Sequence, residues 1–382
     1  MSRGADEVRR LLGTHDPTRE ARANAQLIER LEACDNLMIF GAGQNGRLVL
    51  ARLRGAGLEP TAFIDDTPAK LGTEVEGVPV VSLGQAAAKT SALAICSIFS
   101  PGVDHLSLAA RLEAHSVEVI PLFRLLRAIA AESLPFYFLG PTAQLRAAGP
   151  DLAWLAEQLI DPASLALLLS QLEFRLGLDH AVLPPWTPRR ERPPADWASF
   201  TIVDAGAFDG DTLLPLLAEE GGRVARAIAL EPDPDTFERL VRNVVAAGPE
   251  VTGKTTALRA AVDAASGCRI FRNFGNQGSA FGEEGELVQT VRIDDVMAAH
   301  APGATNLAIK LDVEGAEAAA LTGAAETIKR LRPFLAVSAY HRPDDLWALP
   351  RLVSGLDGGY RYALRSHGAD GADLMLYAVP KA

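Results

Sequence analysis

The segment Ile309-Lys-Leu-Asp-Val-Glu-Gly-Ala-Glu317 holds the densest chemistry in the chain. Read as a strand, its alternation puts Lys310, Asp312 and Glu314 on one face, about 6–7 Å apart. Ionisable groups on a buried strand cost free energy unless they pair or act on a ligand. A structural account has Lys310 neutralising Asp312, with Glu317 at a favourable helix N-terminus. A functional account gives all three a part in a site, because this strand's tip adjoins Asp204 in a doubly wound sheet. A second segment, Asp204-Ala-Gly-Ala-Phe-Asp-Gly-Asp-Thr212, is a strand end running into a glycine-containing turn and then a helix, the place where α/β sheets bind ligands. Gly206 and Gly210 let the backbone pass close to a ligand. Asp204, Asp209 and Asp211 would repel phosphate but suit a positively charged ligand, such as the amino group and sulfonium of S-adenosylmethionine. The alternative is a tight turn with helix-capping aspartates.

Glu231, followed by Pro232, ends the next strand with a carboxylate able to accept two hydrogen bonds from vicinal ribose hydroxyls. Asp263, at the tip of a third strand, offers itself to an adenine amino group. Asp204, Gly206, Phe208, Gly210, Asp211, Glu231 and Asp263 thus form the candidate donor pocket. His341 closes the run Phe334–Tyr340, and an ordinary pKa near 6.5 lets it take a proton from an attacking hydroxyl. The alternative is a histidine bonded to Asp344 or Asp345 in the next turn. His15, His105, His115, His180 and His300 have no comparable context and read as surface residues.

The first half carries its own motif. Gly41-Ala-Gly-Gln-Asn-Gly46 follows a short apolar run, and Asp65 lies about 20 residues on, which satisfies the dinucleotide fingerprint GxGxxG plus acid. A helix starting at Gln44 or Asn45 could hold a phosphate at its N-terminus. Nucleotide or nucleotide-sugar binding, a purely structural role and NAD(P) redox chemistry all remain open for Gly41, Gly43, Gly46 and Asp65.

These residues need elements to position them. Short apolar runs at 36–40, 61–64, 78–81, 92–96 and 117–120 alternate with helical or turn-rich stretches, the texture of a parallel α/β sheet. Strands are expected again at 201–204, 227–230, 256–262, 288–293, 307–312, 334–340, 360–366 and 374–379, the last two forming an antiparallel hairpin. The fold class is α/β, with two Rossmann-like sheets joined by a helical connector. The division runs 1–34 (helices), 35–121 (first sheet), 122–195 (helical connector and proline-rich linker) and 196–382 (second sheet, ending in the hairpin). Arg189, Arg190 and Arg192, among prolines, read as a solvated linker.

Composition narrows the partners. A net charge of −11 argues against a nucleic-acid backbone or anionic membrane as the main partner. Cys34, Cys96 and Cys268 lie far apart, so neither a disulfide framework nor a metal site is expected. The N-terminus lacks the apolar core of a signal peptide and no run could span a bilayer, which points to a cytoplasmic protein.

The series DAGAFDGDT, ALEPDP, VRIDD, IKLDVEGAE, LAVSAYHRPDDLWALP and LYAVP resembles the FkbM-type methyltransferase family over about residues 200–380. The resemblance implies a class I methyltransferase fold, S-adenosylmethionine as donor, and O-methylation of a hydroxyl on a sugar, glycan, polyketide or related small molecule. It implies donor binding by Asp204, Gly206 and Glu231, and a reacting end lined by Lys310, Asp312, Glu314 and His341. Phe208 stands where many relatives carry a small or amide residue, so the donor loop departs from the pattern there. With GxGxxG ahead of the run FIDDTPAKLGTEVEGVPVVS, residues 36–100 are similar to the Rossmann-like N-terminal domains of sugar-modifying acyltransferases, which implies a nucleotide or nucleotide-sugar pocket, or a decayed domain kept for positioning. The competing readings are a nucleotide-sugar-sensing protein with a vestigial methyltransferase domain, and an NAD(P)-dependent oxidoreductase.

Overall fold

The computed structural model describes residues 3–99, 103–129, 138–188, 190–272, 280–281 and 285–381. The chain forms two sheet domains of α/β type, as expected. The first sheet has six strands in the order Glu74–Val75, Val78–Val81, Ala62–Ile64, Leu37–Phe40, Leu93–Cys96 and Glu118–Pro121. All its pairings are parallel except the short Glu74–Val75 edge. Its central strands are buried throughout, which is why they read as unbroken apolar runs rather than alternations.

The second sheet has seven strands, ordered Tyr360–Ser366, Leu374–Pro380, Phe334–Ser338, Leu307–Leu311, Phe200–Ala205, Val224–Leu230 and Thr255–Leu258. Five are parallel. Leu374–Pro380 runs antiparallel between Phe334–Ser338 and Tyr360–Ser366, completing the expected hairpin. The strand order reverses beside Phe200–Ala205, so the tips of its neighbours open a crevice where ligands bind in such sheets.

Two expectations about strands need correction. The run 256–262 is not one strand: Thr255–Leu258 belongs to the main sheet, whereas Ala261–Val262 pairs with Glu286–Val291 in a separate four-stranded sheet. That sheet also contains Gly267–Arg272 and Ala280–Phe281, which the sequence did not reveal. The strand at 307–312 ends at Leu311, so Asp312 and Glu314 lie in the turn beyond it.

The helices Leu122–Ala128, Thr142–Ala147, Gly149–Gln158 and Pro162–Gly177 connect the two sheets. The last buries residues in both domains, Leu168 and Leu172 in the C-terminal core and Phe174 in the N-terminal one. The N-terminal helices divide likewise: Val8 and Leu12 of Arg3–Thr14 pack into the C-terminal core, and Leu31 of Pro17–Glu32 into the N-terminal one. Among the described residues no helix is long and apolar enough to cross a membrane, and no His/Cys/Asp/Glu group could hold a metal ion.

Candidate active site

Strand pairing brings the acidic tips together. Lys310 is the in-register partner of Asp204, and Leu230, the residue before Glu231, pairs with Ala205. The glycine turn is drawn tight onto these tips. Gly206 and Ala207 both donate their N–H to the Leu230 carbonyl at 3.0 Å, and Asp312 donates to Ala205 O at 3.1 Å. Gly206 has φ +72°, and a Cβ there would lie 1.9 Å from the Asp312 carbonyl oxygen. Only glycine fits.

Asp204 is buried, 1 % exposed. Neither of its carboxylate oxygens accepts a hydrogen bond, although the Lys310 ammonium stands 3.1 Å away. Lys310 gives its aligned bond to Gly206 O at 2.7 Å and lies 3.8 Å from Asp312. Burial alone would lower its pKa; Asp204, Asp312 and Asp211 outweigh that and keep it an ammonium. Glu231 braces the loop from the other side, each oxygen accepting one backbone N–H: Phe208 on Oε2 and Asp233 on Oε1, both at 2.9 Å. Burial pushes its carboxyl up to about 7 against these two bonds. A carboxylate oxygen has two lone pairs, so each retains capacity for a ligand hydroxyl. Phe208 adopts φ +48°, and the Arg239 guanidinium lies 5.6 Å from its ring. Gly210, at φ +91°, closes the turn onto Ala207 O. Asp211 is exposed at the rim, and Asp209 is part-buried, its carbonyl held by Asn243.

Asp263 stands apart from the others. It follows the small sheet's strand rather than a tip of the main sheet, and its oxygens are engaged by Arg269 at 2.8 Å and by the N–H of Ala264 at 2.7 Å. Its place at the tip of a third main-sheet strand is therefore corrected.

The reacting end is a knot of carboxylates around one imidazole. His341 Nδ1 bonds Glu317 Oε1 at 2.7 Å, while Nε2 lies 3.6 Å from both Asp312 and Glu314. The partner is thus Glu317, not Asp344 or Asp345; Asp345 instead accepts the Arg342 N–H. Burial would lower the His341 pKa, but Glu317, Asp312 and Glu314 together push it up to about 10. Glu314 turns into this cluster through a left-handed backbone, φ +50°, not through strand alternation. Burial pushes its carboxyl up to about 7, with His341 opposing. Asp312 is held below its ordinary value: burial raises it, and Lys310, His341 and the Ser338 hydroxyl overcome that. Glu317 and Ser338 were not singled out as site residues. The acid three positions after Glu314 and the polar residue ending an apolar strand were the available signals.

In the first domain, Gly46 permits the helix Gln44–Gly55 to start against its strand, since a Cβ would meet Gly41 O at 2.0 Å. Gly41 itself has φ +104°, and nothing lies within 4 Å of where a Gly43 Cβ would be. Asp65 accepts from Ala42 N–H at 3.0 Å, Lys70 at 2.8 Å and Thr67 N–H at 2.9 Å. These partners outweigh burial and hold it well below the ordinary carboxylate range. Its carboxylate ties the glycine loop to the next strand. His105 and His180 are not surface residues: both are buried, stacked at 4.2 Å between the domains. In the linker, Arg192 pairs with Glu219 and Arg190 lies 3.9 Å from Asp373, while Arg189 lies outside the described residues.

Residues 204–368 match the family model of the methyltransferase FkbM domain. The solved methyltransferase FkbM from Methylobacillus flagellatus KT is 24% identical, with a TM-score of 0.71 over 93% of this chain and 93% of that one. That likeness extends the shared fold across both sheet domains. An rRNA methylase from Streptococcus thermophilus (13% identity, 48% of this chain and 89% of that one, TM-score 0.31) and a precorrin-6y C5,15-methyltransferase from Geobacter metallireducens GS-15 (15%, 48% and 81%, 0.30) are similar over about half of the chain only. No curated protein matches the chain. Residues 204–368 are thus similar to the methyltransferase FkbM domain, and the fold of the whole chain to that of a solved methyltransferase FkbM.

Proposed function

We propose that the chain is an S-adenosylmethionine-dependent O-methyltransferase acting on a hydroxyl of a sugar, glycan or related small molecule. The observation that carries the reading is Asp204: a fully buried carboxylate that pairs with the Lys310 ammonium at 3.1 Å and leaves most of its hydrogen-bond capacity unfilled, beside a glycine turn that a Cβ would fill. A buried acid left so is costly unless a ligand's donors complete it. The residues fit the donor. Asp204 suits its ammonium group, and Glu231 has lone pairs free for ribose hydroxyls beyond the two backbone bonds it accepts. When bound, the donor supplies a methyl group on a sulfonium, already a strong electrophile.

The chain's own contribution is then to align the acceptor hydroxyl, exclude water and accept its proton. His341, kept protonated by three carboxylates, is a poor proton acceptor. Glu314, with a carboxyl poised near 7 and a partly exposed side chain, is the better base. His341 positions Asp312 and Glu314 and offsets their charge. In the first domain, the saturation of Asp65 by its own loop favours a structural part for that carboxylate over a ribose contact.

The direct test incubates the protein with methyl-deuterated S-adenosylmethionine and a carbohydrate-rich metabolite and glycan extract, followed by mass spectrometry. The reading requires the label on a carbohydrate oxygen. Label confined to nitrogen or carbon, or no transfer at all, would overturn it.

A further inference from the structure

The chemistry is laid out in order across the second sheet. Glu231 follows Val224–Leu230, Asp204 lies near the end of Phe200–Ala205, Asp312 follows Leu307–Leu311 and His341 follows Phe334–Ser338. The next strand, Leu374–Pro380, runs antiparallel, so its first residue and not its last lies at this end. Leu374 O accepts the Ala339 N–H at 2.8 Å, which sets Asp373 beside the tip that carries His341. With Asp204 and Glu231 given to the donor, the acceptor has the side that runs from Asp312 towards Asp373. Those two tips are two strand spacings apart, roughly 10 Å, which one sugar ring with a hydrogen bond at either end spans.

A second element reaches the same place. The proline-rich segment between the domains is pinned to the last hairpin on both sides of Arg190. Thr187 N–H donates to Ser366 O at 2.9 Å, His367 Nδ1 bonds the Thr187 carbonyl at 2.6 Å, and Glu191 pairs with Arg365 at 2.6 Å. Arg190 Nη2 is thereby held 3.9 Å from Asp373 Oδ2, too long for a hydrogen bond. The two side chains are 29 % and 26 % exposed, so a ligand can reach both. Burial raises the Asp373 carboxyl and Arg190 opposes that, with Asp312, Lys310 and His341 all acting on it as well.

A guanidinium and a carboxylate that face each other without bonding present donors and acceptors at one spot. Neighbouring ring hydroxyls satisfy both, one donating to Asp373 and the next accepting from Arg190. A phosphate or carboxylate on the same ring would face Asp312, Glu314 and Asp373 together and be repelled. Resting on the methyltransferase reading above, we propose that Arg190 and Asp373 form the acceptor subsite, holding neighbouring hydroxyls of an uncharged sugar while another is presented to Glu314. They determine specificity and take no part in the proton transfer.

The test titrates the full chain, with S-adenosylhomocysteine present, with the methyl glycosides of mannose, galactose and glucose, which between them present cis and trans diols. Glucose 6-phosphate is the charged comparison, and saturation-transfer NMR is the readout. At least one neutral glycoside should bind saturably, at least tenfold more weakly in Arg190→Gln and in Asp373→Asn. Asparagine tolerates the left-handed backbone at this position, φ +52°, so the second variant keeps the turn. S-adenosylmethionine affinity, read by calorimetry, should be the same in both variants as in the wild type. No saturable glycoside binding, unchanged glycoside affinity in either variant, tighter binding of glucose 6-phosphate, or a parallel loss of donor affinity would overturn the subsite. Glycoside binding needs no turnover, so its loss in both variants upholds the subsite even if no methyl reaches a carbohydrate oxygen. Undiminished transfer to carbohydrate oxygen by Arg190→Gln would overturn the subsite and leave the methyltransferase reading intact.

Discussion

Glu314 and His341 face each other 3.6 Å apart, and burial acts on them in opposite senses. It raises the acid, and it would lower the imidazole were three carboxylates not gathered round it. With Glu314 as base, turnover at saturating substrates should climb as pH rises through about 7, because the carboxyl must lose its proton first. Glu314→Gln should lower kcat by roughly a hundredfold or more, the usual worth of a positioned base, with donor affinity little changed. His341→Gln removes a charge that favours ionised Glu314, so the rise should persist but move to higher pH. A kcat profile flattened by His341→Gln would instead identify the histidine as the titrating base. The sequence already exposed these residues, because ionisable groups at the ends of apolar strands stand out. It did not expose their mutual arrangement, since Glu314 enters through a left-handed turn that alternation does not describe.

Elements succeed here where glycine permits close approach. At Gly206 a methyl group would sit 1.9 Å from Asp312 O, in a backbone conformation of φ +72°; at Gly43 a methyl group would meet open space. Gly206→Ala is therefore expected to cost roughly 2–4 kcal/mol. Gly43→Ala should cost no more than about 1 kcal/mol, the price of a weaker helix cap. Urea denaturation of both variants checks this, and equal losses would show that the donor loop is not packed as described. The strands of both main sheets were legible because buried parallel strands are continuous apolar runs. The small sheet was not. Local propensity does not say which sheet a strand joins, so the break between Leu258 and Ala261 passed unseen and Asp263 was placed on the wrong tip.

Across the whole molecule the two sheets are joined by more than a linker. Asp370, in the turn before the last strand, accepts the His105 N–H at 3.1 and 3.2 Å, and so adds to the Asp104 N-cap at the start of a helix of the other domain. Arg127 donates to the carbonyls of Arg175 and Leu176 across the connector. Asp370→Ala should cost roughly 1–3 kcal/mol, the usual effect of losing a hydrogen bond to a charged group. Hydrogen exchange should accelerate at His105 and the first turn of His105–Glu113 while donor affinity stays unchanged; protection as in the wild type would mean that the Asp370 contact does not hold the helix start. Chain length and a change of texture made two domains legible. The seam was not, because it depends on pairing residues 265 positions apart in sequence.

The account turns on the donor pocket at adjoining strand tips, and calorimetry of S-adenosylmethionine binding probes it without any knowledge of the acceptor. Wild-type protein should bind saturably. Asp204→Asn and Glu231→Gln, each shown to be folded by circular dichroism, should bind roughly 10- to 100-fold more weakly, the worth of a hydrogen bond to a charged group. Undiminished affinity in both folded variants, or no binding by the wild type, would contradict it.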